Sequence, residues 1–258
     1  MSKIRFTEPN REILARRDSI INDLTRLVDP AGLITSTDEC RAYETDALTA
    51  YRKMPLAVVL PKTTEEVSAV LKYCHDTGVK VVPRGAGTSL AGGAIPSEDA
   101  VVLGLSKMNR VLAVNYDDRF IRVEAGVTNL SVTAVVAENG FFYAPDPSSQ
   151  LACTIGGNIA NNSGGAHCLK YGVTTNNLLG VRMVLIDGSI IDLGGDYLDS
   201  AGLDLLGLVV GSEGQLGIVT EATLRILKSA EGARPVLFGF PSCEGAGKAV
   251  ADVIAAGI

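Results

Sequence analysis

The sequence predicts an α+β fold of two lobes: a small parallel α/β lobe, then a larger lobe with helices and a mostly antiparallel sheet. Short apolar runs alternate with a helical pattern between residues 56 and 105, and hairpin signatures appear after Met108. Glycine-rich segments interrupt both regions. The chain has 258 residues, 47% hydrophobic and 20% charged, which is enough to bury a core for two lobes.

Residues 1–55 read as a helical arm. Within it, Ile13, Leu14, Ile20, Ile21, Leu24 and Leu27 form an apolar stripe among charges from Glu8 to Val28, and Asp29-Pro30 marks its end. Residues 56–107 form the first lobe. Leu56–Leu60 is a continuous apolar run of buried-strand type, and Thr63-Thr-Glu-Glu66 fits a capping box. Val67, Val70, Leu71 and Cys74 come next at helical spacing, stopped by Gly78. Lys80–Pro83 and Val101–Leu105 are further strands, with a glycine-rich loop, residues 83–94, leaving the carboxyl end of the middle strand.

Residues 108–228 form the second lobe. Arg110–Asn115 and Phe120–Glu124 alternate around Tyr-Asp-Asp, and Leu179–Ile186 and Ile190–Leu193 flank Asp187-Gly188-Ser189, so both pairs read as hairpins. Helices are expected at Thr128–Glu138 and Asp204–Val210. In residues 229–258, Pro235–Phe240 reads as a strand and Gly245–Ala256 as a helix, the expected opening of a further domain.

Composition narrows the function. A formal charge of -6 and a pI near 5.0 leave no basic surface for nucleic acid, so a small molecule is the better partner. Cys40, Cys74, Cys153, Cys168 and Cys243 contain no CxxC pair, which indicates a reducing, cytoplasmic setting. With His75 and His167 as its two histidines, the chain offers no metal site of its own. The charged start and the lack of a long apolar run predict no membrane span.

Three segments share one character: Pro83-Arg-Gly-Ala-Gly-Thr-Ser-Leu-Ala-Gly-Gly-Ala94, Pro145 to Gly165, and Gly211-Ser-Glu-Gly-Gln-Leu-Gly217. Glycine removes the Cβ that would hold an anion away, so such loops can present backbone N–H groups to a diphosphate. The dinucleotide fingerprint with three glycines does not fit, because Leu90 stands where the third glycine belongs and the residues after it read as loop rather than helix. A nicotinamide reading is therefore rejected. Any one loop could be a tight connection; three long, amide-rich ones together point to a shared ligand.

PRGAGTSLAGGA, YAPDPSSQLACTIGGNIANNSGGAHCLKYGVT and GLVVGSEGQLGIVTEATLRI together resemble the PCMH-type FAD-binding domain of the vanillyl-alcohol oxidase family of FAD-linked oxidases. Within it the likeness is greatest to the FAD-linked 2-hydroxy acid dehydrogenases of the glycolate oxidase D-subunit type, from Tyr43 onward. The resemblance implies FAD bound between the lobes. Arg84, Gly85, Ala86, Gly87, Thr88, Ser89 and Gly92 would wrap its pyrophosphate. Pro145, Thr154, Gly156, Gly157, Ala160, Ser163 and Gly164 would line the ribityl and isoalloxazine portion, with Tyr171 and Gly172 nearby. Glu213, Gly217 and Ile218 would close around the adenosine end. Asp146 is placed equally for an acceptor near the ring and for a turn through Pro-Asp-Pro. Thr88-Ser89 stand where related flavoproteins carry a covalently linked histidine, so FAD is expected to be non-covalent.

His167 is expected to be a loop hydrogen-bonder rather than a base, and His75 a helix-terminus residue. Cys153 and Cys168 read as small packing residues, and Arg122, Glu124 and Arg182 as solvated strand faces. Oxidising a 2-hydroxy acid needs a cation for its carboxylate and a group to take the hydroxyl proton. No residues in the chain suggest that pair. The resemblance places them in a cap domain and C-terminal region, of which residues 229–258 would be the truncated start. The expectation is thus the FAD portion of an enzyme oxidising glycolate or another D-2-hydroxy acid, inactive alone, with an iron–sulfur subunit as electron acceptor. The alternative is a naturally short FAD-binding subunit for assembly or electron relay.

Overall fold

A computed structural model describes residues 7–197, 202–232 and 234–257. Residues through Lys228 form one compact unit and those from Ser229 onward a second.

The arm begins with α1 (Arg11–Ala15), capped by Asn10 Oδ1, and α2 (Arg17–Leu24). The apolar stripe predicts one continuous helix from Glu8 to Val28. The chain instead tightens at Arg16, whose N–H reaches back three residues to Ile13 O at 3.0 Å, yet Ile13, Ile20 and Leu24 all stay buried. Next come β1 (Leu33–Ile34), α3 (Thr37–Cys40), β2 (Ala57–Val59), α4 (Thr64–Thr77), β3 (Lys80–Arg84) and β4 (Ala100–Gly104). The sheet order is β1-β2-β4-β3: β2 and β3 both run parallel to β4, and β1 adds an antiparallel edge.

The glycine-rich loop therefore leaves an edge strand, not the middle one. After α4 carries the chain across, β3 takes the outer position and the loop returns β4 to the centre. Both β2 and β4 are wholly buried, which is why they read as unbroken apolar runs. Thr63 Oγ1 caps α4 through Glu66 N at 3.2 Å, while the Glu66 carboxylate takes Lys62 N rather than completing the reciprocal bond to Thr63. Gly78, left-handed at φ 74°, ends the helix.

The second lobe contains β5 (Val111–Asn115), β6 (Phe120–Glu124), α5 (Asn129–Val136), β7 (Phe141–Phe142), α6 (Ile155–Asn161), α7 (Cys168–Tyr171), β8 (Leu178–Val184), β9 (Ile190–Gly194), α8 (Leu205–Val209), β10 (Ile218–Arg225) and β11 (Leu227–Lys228). Its main sheet has order β5-β6-β10-β8-β9, all antiparallel. The two expected hairpins are its outer pairs. Their hub, β10, joins them by setting Ala222 opposite Val123 on one side and Val181 on the other. Val132, Val136, Ile155 and Ile159 from α5 and α6 pack with Ile121, Val123, Met183 and Leu224 of this sheet.

The lobes share a core. Val67, Val70, Leu71 and Cys74 of α4 cluster with Val59, Val101 and Leu103 of the first sheet and with Ala125, Val184 and Ile218 of the second lobe. Thr64 Oγ1 meets Thr220 Oγ1 at 3.0 Å in the buried seam. Glu124, expected on a solvated face, is 3% exposed and grips Arg110 through its N at 2.7 Å and Nη2 at 2.8 Å. The returning Arg110 segment covers the strand end, so alternation along β6 does not decide its exposure. Arg182 lies on the surface with Asp192 at 2.9 Å.

In the second unit, α9 (Cys243–Ala255) is capped by Ser242 Oγ, which accepts from Gly245 N at 3.1 Å. The strand expected at Pro235–Phe240 is absent: those residues take no regular secondary structure and have no partner strand among the described residues, and Leu237 and Phe238 are exposed. A β-ladder needs a second chain segment beside it, and an apolar run alone does not supply one.

Candidate functional site

The three glycine-rich segments meet in one cavity of about 260 Å³. The element that gathers them is α6, which lies inside the second segment and has the composition of a loop. Thr154 caps it, its Oγ1 accepting from Gly157 N at 3.3 Å. That same hydroxyl abuts Gly85 so closely that a Cβ there would strike it, which seats the first loop on the N-terminus of α6. At the other end Ile159 O accepts from Gly211 N and Ala160 O from Glu213 N, each at 2.9 Å, and these bonds seat the third loop. Gly217 adjoins Met183 and Val184 O, and Gly214 adjoins Pro83. Much of the glycine content thus serves chain-on-chain approach, which brings the loops together.

The first loop is wound around its own arginine. Arg84, 9% exposed, donates from Nη1 to Thr45 O at 2.7 Å and lies over the Tyr43 ring, with Ala94 O at 3.4 Å across the loop mouth. Gly87, left-handed at φ 70°, passes so near the guanidinium that a side chain would collide with it, and its carbonyl accepts from Ala47 N at 3.0 Å. Burial pulls the Arg84 pKa below its usual value, opposed by the nearby charge of Asp46. The backbone N–H groups from Gly85 to Leu90 have no acceptor among the described residues. A run of unengaged donors backed by a buried cation can serve as an anion cradle.

Of the residues singled out from the sequence, Arg84, Gly85, Ala86, Gly87, Thr88, Ser89, Thr154, Gly156, Gly157, Ala160, Ser163, Glu213, Gly217 and Ile218 line the cavity. Gly92 lies off its wall, packed toward Leu48 and Ile95. Pro145, Asp146, Gly164, Tyr171 and Gly172 belong to an adjoining cluster. There the Asp146 carboxylate accepts from His167 N at 3.0 Å and approaches its Nδ1 at 2.9 Å, while Tyr171 stacks edge-on against Phe142 and His167. His167 thus fastens a loop. Gly164 abuts Cys168 and Val173, and Gly172 abuts Asn176.

Sequence reasoning passes over Ser149, Asn158 and Asn161, which also line the cavity, and Cys153, read as a small packing residue, is a further part of its wall. The signal for Asn158 is helical spacing: once Thr154 is taken as a cap, Asn158 stands four residues on and shares its face. Among the described residues no cluster of three or more His, Cys, Asp or Glu could hold a metal ion, and no helix is long and apolar enough to cross a membrane.

Comparison with known proteins decides the family. Residues 55–194 match the FAD binding domain family. The chain belongs to that family. It is 49% identical over 242 residues to the glycolate oxidase subunit GlcD of Escherichia coli (strain K12), covering 94% of this chain and 48% of that protein. It is 38% identical over 237 residues to a D-lactate dehydrogenase of Archaeoglobus fulgidus, covering 91% of this chain and 52% of that protein. The chain spans about half the length of the curated relatives it matches. In fold, its FAD binding domain resembles the solved structure of alkyldihydroxyacetonephosphate synthase, with a TM-score of 0.76 at 23% identity over 89% of this chain and 43% of that one. FAD is the cofactor of the family, and the cradle of free N–H groups and the buried, unpaired Nδ2 of Asn158 suit a phosphate-bearing ligand.

Proposed function

We propose that the cavity holds FAD non-covalently and that the chain is the flavin portion of an enzyme oxidising glycolate or a related D-2-hydroxy acid to the 2-keto acid. The observation that carries this reading is the convergence of three glycine-rich loops on one cavity with the Gly85–Leu90 N–H groups unengaged. Those groups bind the diphosphate, braced by Arg84 from behind. Thr154, Gly156, Gly157, Ala160 and Ser163 border the ribityl and isoalloxazine portion, with Pro145, Asp146, Gly164, Tyr171 and Gly172 framing its outer side. Glu213, Gly217 and Ile218 close on the adenosine. Bound FAD supplies the acceptor for the hydride leaving the alcohol carbon. Non-covalent binding is supported by Thr88-Ser89 in the first loop and by a cavity wall without histidine among the described residues.

The domain division proposed is an arm of residues 1–55, FAD-binding lobes of 56–107 and 108–228, and residues 229–258 as the opening of a substrate-side domain. The compactness of the unit ending at Lys228 and the greater length of the relatives support it. A 2-hydroxy acid as substrate is supported by the likeness to a glycolate oxidase subunit and to a D-lactate dehydrogenase. Electrons would pass to an iron–sulfur subunit, in keeping with the subunit nature of the glycolate oxidase relative. Unpaired cysteines support a cytoplasmic setting.

The test is anaerobic. The flavin-loaded chain should keep its oxidised spectrum with glycolate or D-lactate and bleach with dithionite. Bleaching by either acid would show that the chain already holds the proton-accepting and carboxylate-binding groups, against the assignment of those groups to residues outside it.

A further inference from the structure

Asn158 is 1% exposed, and its side-chain Nδ2 has no hydrogen-bond partner among the described residues. A buried, unpaired amide donor is destabilising, so it needs a reason to be there. Nearby backbone and amide groups are already engaged with one another: its own N–H donates to Thr154 O, its backbone carbonyl accepts from Ser163 N, and Asn161 Nδ2 donates to Gly157 O. Asp46, Asp99 and Tyr143 also carry buried unpaired atoms, but none of the three lines the cavity, and Asn158 does. It stands on α6 between Thr154, where the first loop seats, and Ile159 and Ala160, where the third loop docks.

We infer that Asn158 is a cofactor-binding residue whose Nδ2 donates a hydrogen bond to an acceptor of FAD midway along α6. This rests on the reading that the cavity holds FAD. Without the cofactor, an apolar side chain of similar size would suit the site better. With it, the amide supplies a directed bond from a wall shielded from water. The residue therefore carries a signature of opposite signs, stabilising the loaded chain and not the flavin-free one. A purely structural asparagine would not behave so.

Asn158→Leu and Asn158→Ala are compared with the wild type by the thermal midpoint of the flavin-free chain and by FAD titration through flavin fluorescence. For Asn158→Leu the flavin-free midpoint should equal or exceed that of the wild type, while FAD binds about tenfold more weakly or worse. Asn158→Ala should show the same loss of affinity with a lower midpoint from lost volume, and it keeps the test decisive if the leucine variant does not fold. If the variants bind FAD within about twofold of the wild type, the inference fails and the reading of the cavity stands. If the wild type itself takes up no FAD, both fail together.

Discussion

Asp99 shows how much one buried charge contributes and when it is lost. It is fully buried, and its Oδ2 accepts from Asn10 N at 2.9 Å and from Lys80 Nζ at 2.8 Å, tying the arm to the start of β3. Burial pushes its carboxyl pKa up, but the bonds from Lys80, Ser97 and the Asn10 N–H outweigh that and hold it down at about 2, against an ordinary 3.8. Because the folded value is the lower one, the stabilisation is complete above the ordinary value and is lost as pH falls through about 2. With Lys80 half exposed and screened, it amounts to about 1–2 kcal/mol. Asp99→Asn should lower the urea midpoint near neutrality and lose correspondingly less stability than the wild type on acidification through that window. Equal acid losses in the two proteins would show that the pair contributes nothing. None of this is legible in the sequence, since Asn10, Lys80 and Asp99 meet only through the fold. The burial of Glu124 escapes sequence reasoning for the same reason.

At the scale of elements, strong periodicity is legible and glycine-rich helix is not. The stripe of α4 with its Thr63 cap and Gly78 stop, the all-apolar β2 and β4, and both outer hairpins arise directly from spacing and turn residues. In contrast, α6 carries Gly156 and Gly157 in its first turn, which weakens any helical signal, and it persists because Ile155 and Ile159 are buried and Thr154 caps it. The central strand β10 hides behind the glycine motif that precedes it, although Ile218, Val219, Thr220 and Thr223 give it a β-branched character. The error at Pro235–Phe240 runs the other way, a strand inferred from apolar content with no pairing partner. If the cap on α6 holds the site together, Thr154→Ala should destabilise the chain by about 1 kcal/mol, a shift of roughly 2–4 °C in thermal midpoint. Thr154→Ser, which keeps the hydroxyl, should recover most of it. Equal midpoints for the alanine and serine variants would show that the cap bond is immaterial.

For the whole molecule, the two-lobe plan and the identity of the loops can be read from the chain, but their convergence requires the fold. The loops lie on both lobes, and α4 sandwiched between the sheets together with α6 beneath the loops fixes their approach. Sequence alone suggests that glycines serve the ligand. The structure shows that Gly85, Gly214 and Gly217 first let the protein touch itself, and only then do Gly85 to Ser89 line the cavity with their backbone donors unengaged. The most direct test is the visible spectrum of the purified chain after excess FAD and desalting, followed by acid precipitation. The predicted result is a flavin band at about one equivalent that passes entirely into the acid supernatant, the mark of a bound, non-covalent cofactor. A colourless protein would contradict the reading of the cavity, and flavin retained in the pellet would contradict its non-covalent attachment.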